Sequence, residues 1–448
     1  MPLGTHRHGE SLARGGGPVI QVTARTLGGH IGQEAILEGW VHRVRVMGNF
    51  AFLLVRDARG VVQTVLEDPR LLEGLNLESA VRVTGKVVGE PRSSSGAELH
   101  VTSIEVLSPA IELPPFDLNK KALEVKLDAI LDHRSLSLRH PKERAVFRIE
   151  GELVECFRSY LRGQGFTEIF TPKIVASGTE GGANLFPIDY MGARAYLAQS
   201  PQFYKQMMVG VFGRVFEVGH VYRAEPHYTS RHINEYLSLD LEMGFIDNEQ
   251  DVMRMEMGFL ATLMERLGET CAEEIALLGA RIPAPQAELP QLTLAEAKEV
   301  LRQRFGKELS EEDDLDPESE RFLCQHAVEK LGSEFLFVTR YPISVRPMYA
   351  MPDREHPGAT QSFDLLFRGM EVTTGGQRIH EHAMLVASIQ SRGLNPEDFS
   401  FYLEPFKHGM PPHGGLAIGT ERLTSKLLDL ENIRQAALFP RDIKRLTP

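Results

Sequence analysis

The stretch FEVGHVYRAEPHYTSRHINEYLSLDLEMGF, residues 216–245, decides the fold. In its second half Leu237, Leu239, Leu241, Met243 and Phe245 fall on one face of a strand, and Ser238, Asp240 and Glu242 fall on the other. The segment RVFEVGHVYRAE also reads as a strand, in which Arg223 and Glu225 are two apart and point together. Taken singly, each of these charges fits a structural ion pair. A buried sheet face seldom carries so many of them without a ligand, because unpaired charge is expensive to bury.

Working outward, Val146, Phe147, Ile149, Leu153, Phe157, Tyr160 and Leu161 recur at helical spacing, and Gly163 and Gly165 end that helix. EIFTPKIV is apolar and β-branched but carries Pro172, which belongs at a sheet edge or an interface. SFDLLFRGMEVTTGGQR and HGGLAIGTERLTSKLL add strands and a closing helix, so residues 142–448 read as an α+β domain on an antiparallel sheet. Residues 19–108 are short apolar runs broken at Gly39, Gly48, Gly60 and Gly85. They fit the small β-barrel called the OB-fold, another small barrel being the alternative. The Pro-rich SPAIELPPFDLNKK points to a stiff linker over 109–141, and the polar, Gly-rich residues 1–18 to a disordered tail. There are no internal repeats.

The chain has 448 residues and a formal charge of -12. Residues 268–320 hold 5 Lys and Arg against 14 Asp and Glu, so the acidity is local. The run Glu311, Glu312, Asp313, Asp314, Asp316 reads as a solvated insertion far from any phosphate. Cys156, Cys271 and Cys324 are odd in number and far apart, which argues against disulfides and a structural zinc and for a cytoplasmic setting. No signal peptide or membrane span is expected.

Three ordered segments, GFTEIFTPKIV, residues 216–245 and GLAIGTERL, resemble the three signature motifs of class II aminoacyl-tRNA synthetases. The match covers almost the whole chain from Val19, and the attached OB-fold resembles the aspartate, asparagine and lysine subgroup, most closely the archaeal-type aspartate enzymes. Ala417 stands where many relatives carry glycine, a change the strand should tolerate.

The resemblance implies that ATP and magnesium are used, and that the aspartate carboxylate attacks the α-phosphorus while fixed cations neutralise the developing charge. Arg223 would contact the α-phosphate, Arg231 and His232 the γ-phosphate, and Arg422 would stack on adenine. Ala224, Glu225, Ile233, Gly419, Thr420 and Glu421 complete the nucleotide site, with Arg223, Glu225 and Arg422 as its catalytic set. Glu371 beside Thr374 would ligate magnesium, with Asp364 as a second ligand. In LAQSPQFYKQ, Lys205 would pair with the substrate side-chain carboxylate together with Arg378, and Asp240 would close that network. Two cations suit a carboxylate and leave an amide unsatisfied. Gln202 and Glu180, the latter in the TEGG loop, would bind the α-amino group. Arg223 and Thr374 also border this pocket.

In the barrel, Phe52 and Gln63 match the stacking aromatic and the glutamine that handle the central anticodon base, with Phe50 an alternative stacker. Arg43, Arg45 and Arg56 suit tRNA backbone contacts, and Trp40 reads as core. His42 and Pro91 stand where relaxed members of the aspartate family carry histidine and proline, which implies charging of both tRNA(Asp) and tRNA(Asn) and a tRNA-dependent amidotransferase as partner. Motif one implies a homodimer. An asparagine-specific enzyme is disfavoured by Lys205 and Asp240. An ammonia-using asparagine synthetase would not need the barrel, and a non-catalytic tRNA-binding paralogue would show erosion of these residues.

Overall fold

The computed structural model describes residues 19–93, 95–178 and 184–447. The expected tail and Glu180 lie outside them. The described chain forms two compact units: one runs to Ile130 and includes Arg139–Pro141, and the other comprises Leu131–Leu138 and the chain from Lys142 onward. The stretch expected as a linker holds two short helices, Leu127–Asp132 and Arg134–Ser137, before the helix Pro141–Gly163 begins.

In the first unit the strands Glu34–Met47, Phe50–Arg56, Val61–Leu66, Ala97–Ser108 and Ala80–Gly89 pair in that order, and the last pairs back to the first, closing a barrel. Alternate residues fill it: Ala51, Leu53 and Val55 are buried, as are Val62, Thr64 and Leu66. Each buried aliphatic side chain contributes roughly 1.5–3 kcal/mol. Trp40 is not core. It is 38% exposed, on the outward phase of its strand, and the Arg56 guanidinium lies over the indole at 5.5 Å.

The second unit is built on an eight-stranded sheet. Its central order is Phe335–Thr339, Ser362–Phe367, Met370–Arg378, His413–Gly419, Glu235–Gly244, Arg214–Tyr222, all antiparallel neighbours. The helices Pro141–Gly163 and Glu249–Thr270 cover one face, where Phe157 meets Phe216 and Phe259 edge-on, and Leu239, Leu241, Leu416 and Ile418 join the same core. Ser238, Asp240 and Glu242 are buried on the opposite face. Phe245 leaves the alternation: the strand ends at Gly244, and Phe245 turns out with φ 59° and 83% exposure. Gly415 faces Glu242 across the ladder, and a Cβ there would come within 2.1 Å of Glu242 Oε2, so only glycine fits.

The acidic stretch is part of this sheet rather than an appendage. Gln291–Thr293 pairs in parallel with Phe335–Thr339, and Leu294, Leu301, Leu323 and Leu336 form a satellite core. The run Glu311–Asp316 itself lies at the surface, with Asp316 capping the helix Pro317–His326.

Candidate active site

The charged sheet face opens into one cleft. Its walls are Arg223, Glu225, Arg231, His232 and Ile233, then Glu371, Thr374 and Arg378, then Gly419, Glu421 and Arg422, with Gln202 and Lys205 from the helix Gln202–Phe212. The strand Arg214–Tyr222 ends before Arg223, so the shared cleft of Arg223 and Glu225 is not a result of strand alternation. The Arg223 backbone N–H donates to Asn234 O at 2.9 Å, and its guanidinium stands 5.9 Å from the Tyr236 ring. Thr229 Oγ1 and His232 Nδ1 are 2.6 Å apart, and His232 Nε2 is 3.6 Å from Glu225 Oε2.

Of the expected active-site residues that are described, four do not line the cleft, Asp364 being one. Asp240 lies behind Lys205, Ala224 borders a neighbouring hollow with Arg194 and Arg392, and Thr420 is fully buried. Glu421 reaches the cleft but accepts the Leu237 backbone N–H, and burial pushes its carboxyl up to about 8.

Glu371 and Thr374 are three apart and would face opposite ways on a regular strand. A register shift opposite Leu365 and Leu366 leaves Val372 as an extra residue, and Thr374 Oγ1 donates to Glu371 Oε1 at 3.0 Å. Arg422 Nη1 stands 3.5 Å from the same oxygen and donates to Glu371 O at 3.1 Å. Asp364, opposite Thr374, is not a free ligand: Arg346 Nη2 donates to its Oδ2 at 2.7 Å, while burial, opposed by Arg346, pushes the carboxyl up to about 6. Its Oδ1 has no hydrogen-bond partner among the described residues.

Lys205 and Arg378 are not free cations either. Lys205 Nζ donates to Asp240 Oδ1 and Leu416 O, both at 2.9 Å, and stands 3.5 Å from Glu242 Oε2. Arg378 Nε donates to Glu242 Oε1 at 3.0 Å, and Nη2 to Gly415 O at 2.9 Å. Ser238 Oγ donates to Asp240 Oδ2 at 2.5 Å. The two cations and two carboxylates are balanced, and both Lys205 and Arg378 line the cleft as groups that can only donate.

Glu320 and Arg346 carry no sequence signal. Glu320 closes the acidic stretch, yet it is 5% exposed and accepts Arg231 Nη2 on both oxygens, at 2.9 and 2.8 Å, and the Glu371 backbone N–H at 2.9 Å. The expected solvated run, Glu311–Asp316, stops short of Glu320 and does lie at the surface. Helix packing turns the Glu320 carboxylate inward.

On the barrel's outer face Phe52 and Gln63 stand on adjacent strands, Phe50 meets Phe52 edge-on at 5.4 Å, and Gln63 donates to Glu98 at 2.9 Å. Pro91, Arg43 and Arg45 are exposed. Arg56 is not available to RNA: it is buried and donates to Glu78 and to Arg139 O. His42 is neither a solvated strand residue nor an open base reader. The register skips it between Val41 and Arg43, so strand alternation slips there, and His42 is buried, where burial and the neighbouring Arg56 hold the imidazole below its ordinary pKa.

The profile of class II tRNA synthetases (D, K and N) matches residues 126–443, and that of the OB-fold nucleic acid binding domain matches residues 35–107. The chain is 52% identical to an aspartate–tRNA(Asp/Asn) ligase of Deinococcus radiodurans, covering 96% of this chain and 99% of that one. It is also 52% identical to an aspartate–tRNA(Asp/Asn) ligase of Thermus thermophilus, covering 96% and 100%. An asparaginyl-tRNA synthetase of Pyrococcus horikoshii, solved with asparaginyl-adenylate, superposes with a TM-score of 0.88 at 31% identity, over 94% of this chain and 98% of that one. With the fold, the three motif segments and the barrel all in agreement, the chain belongs to the class II tRNA synthetases of the aspartate, lysine and asparagine group.

Proposed function

We propose that this enzyme joins L-aspartate to ATP and then transfers it to the 3′ end of tRNA(Asp) and tRNA(Asn). The observation that carries the aspartate reading is the donor-only pocket of Lys205 and Arg378. An aspartate side chain accepts from both, whereas an asparagine amide would set its own N–H against one of them. Selectivity so built comes from hydrogen-bond polarity rather than from surplus positive charge.

In the first step the aspartate α-carboxylate attacks the α-phosphorus and pyrophosphate leaves. Arg223 neutralises charge on the α-phosphate, Arg231 and His232 hold the γ-phosphate, and Arg422 covers the adenine. In the second step the terminal ribose hydroxyl attacks the adenylate carbonyl and AMP leaves. No side chain acts as nucleophile.

The residues present suit a magnesium ion. Glu371 and Thr374 offer a carboxylate and a hydroxyl 3.0 Å apart, and Asp364 keeps one oxygen without a partner among the described residues. Magnesium takes few protein ligands beside phosphates and water, and bound there it supplies positive charge to the polyphosphate.

Two supports favour charging of both tRNAs. The relatives from Deinococcus radiodurans and Thermus thermophilus are named as ligases for tRNA(Asp/Asn), and this chain reads GWVH at residues 39–42 with Pro91 in the nearby loop. The two anticodons differ in one base, and one contact to a base edge is worth roughly 1–3 kcal/mol. His42 acts indirectly in this reading, by filling the bulge, and Phe52 and Gln63 contact the RNA. The product on tRNA(Asn) then requires a tRNA-dependent amidotransferase, and a homodimer in the cytoplasm completes the proposal. Among the described residues no helix is long and apolar enough to cross a membrane.

Pyrophosphate exchange into ATP tests the first part, with aspartate expected to support it and asparagine not. Aminoacylation of both purified transcripts tests the second. Comparable rates are expected, and a hundredfold preference for the tRNA(Asp) transcript would overturn it.

A further inference from the structure

Beneath the amino-acid end of the cleft lies a polar chain of which the roles above use only the first member. Gln202, Gln206, Tyr402 and His413 are all buried, the last three completely. Gln202 and Gln206 share one face of the helix Gln202–Phe212, and Gln202 alone of the four lines the cleft.

Hydrogen positions along this chain follow from one backbone carbonyl. His413 Nδ1 is 2.8 Å from Pro411 O, which can only accept, so Nδ1 carries the hydrogen. Burial pushes the imidazole down to about 4, so it is neutral and Nε2 is an acceptor. Gln206 Nε2 stands 3.0 Å from that nitrogen and donates to it. Gln206 Oε1 is thereby turned away from the ring and accepts from Tyr402 Oη at 3.0 Å and from Gln202 Nε2 at 2.9 Å. The NH2 of Gln202 is committed to Gln206, which leaves its Oε1 for the cleft.

We propose that Gln206, oriented by His413 and Tyr402, is a positioning residue that turns the Gln202 amide so that its carbonyl oxygen meets the α-ammonium group of the amino acid. An ammonium group has only donors, so a Gln202 amide in the opposite orientation would repel it. The proposal rests on the reading of Gln202 as a ligand of the α-amino group.

The test is pyrophosphate exchange by the full chain, with succinate, which is aspartate without its amino group, as competitive inhibitor. In Gln206→Met the KM for aspartate rises roughly tenfold, as for a lost hydrogen bond to a charged group, while the succinate Ki and the KM for ATP move by less than about threefold. Equal weakening of aspartate and succinate would reduce Gln206 to a support of the pocket and overturn the proposal, as would no change in either. A second pair of variants covers the case in which Gln206→Met does not fold. His413→Gln places an amide oxygen where Nε2 accepts and should keep the parent ratio of aspartate KM to succinate Ki, whereas His413→Phe should raise it; the same ratio in both overturns the relay. Gln202→Met separates the two levels. If it leaves the ratio unchanged, the amino-group reading of Gln202 fails. If it raises the ratio while Gln206→Met does not, the relay alone fails.

Discussion

At the scale of single residues, the pocket is a set of buried charges that balance before any substrate arrives. Lys205 and Asp240 are each 1% exposed, so deleting the lysine strands a buried carboxylate. Lys205→Met is expected to abolish aspartate-dependent exchange and to cost about 3–5 kcal/mol of stability in urea denaturation. Adding Asp240→Asn should recover most of that stability and none of the exchange. Retained exchange in Lys205→Met would remove the substrate assignment. In the proposed function Glu320 belongs to the nucleotide side, where its two oxygens hold Arg231. Glu320→Gln weakens that grip and is expected to raise the KM for ATP roughly tenfold with the KM for aspartate unchanged, since a charge-assisted pair is worth more than its neutral counterpart. Equal changes in both constants would leave Glu320 a purely structural part.

At the scale of elements, two β-bulges redirect side chains that strict alternation would send the other way. One lies at His42, which is buried there, and the other lets Glu371 and Thr374 meet. Behind the second bulge, the helix Glu249–Thr270 places Glu256 under the strand Met370–Arg378, where burial pushes its carboxyl from 4.5 up to about 8. Between those values the folded chain holds a proton that the unfolded chain has released. The stability that Glu256 contributes is therefore whole below 4.5, falls as pH rises through the window, and is gone above about 8. Glu256→Gln removes this slope. Its denaturation midpoint relative to the parent should be higher at pH 8 than at pH 5, and an equal difference at both would mean that Glu256 is ionised in the fold. Glu421 and Glu150 are raised in the same direction, so the comparison has to be made against the parent at each pH.

At the scale of the whole molecule, the exposed apolar surface of the second unit points to self-association. Phe170, in motif one, is 81% exposed, and Val211, Phe212 and Phe245 form a further exposed apolar group where Gly244 N donates to Gly213 O at 2.8 Å. Such a patch on a monomer is costly, and an isologous partner removes it from water. Sedimentation at micromolar concentration is expected to give twice the 50.1 kDa mass of one chain. A single species of chain mass would count against the dimer, and Phe170→Glu should shift the equilibrium toward it.

By itself the sequence determined the two-part architecture, the antiparallel sheet and the family, because alternation, glycine punctuation and motif order are local and survive without knowledge of neighbours. Ser238, Asp240 and Glu242 could be set on one face from spacing alone, and the structure buries all three there. Only the tertiary structure decided which charges are already paired. Glu320 joins Arg231 across 89 residues of chain, and Gln206 joins His413 across 207. It also decided where the ladder slips: an inserted residue is invisible to a period of two, so the burial of His42 and the meeting of Glu371 with Thr374 had to await the register. Trp40 and Arg56 reversed their expected places for a related reason, since hydrophobicity ranks a residue by type whereas a barrel assigns inside and outside by strand phase and ion pairing.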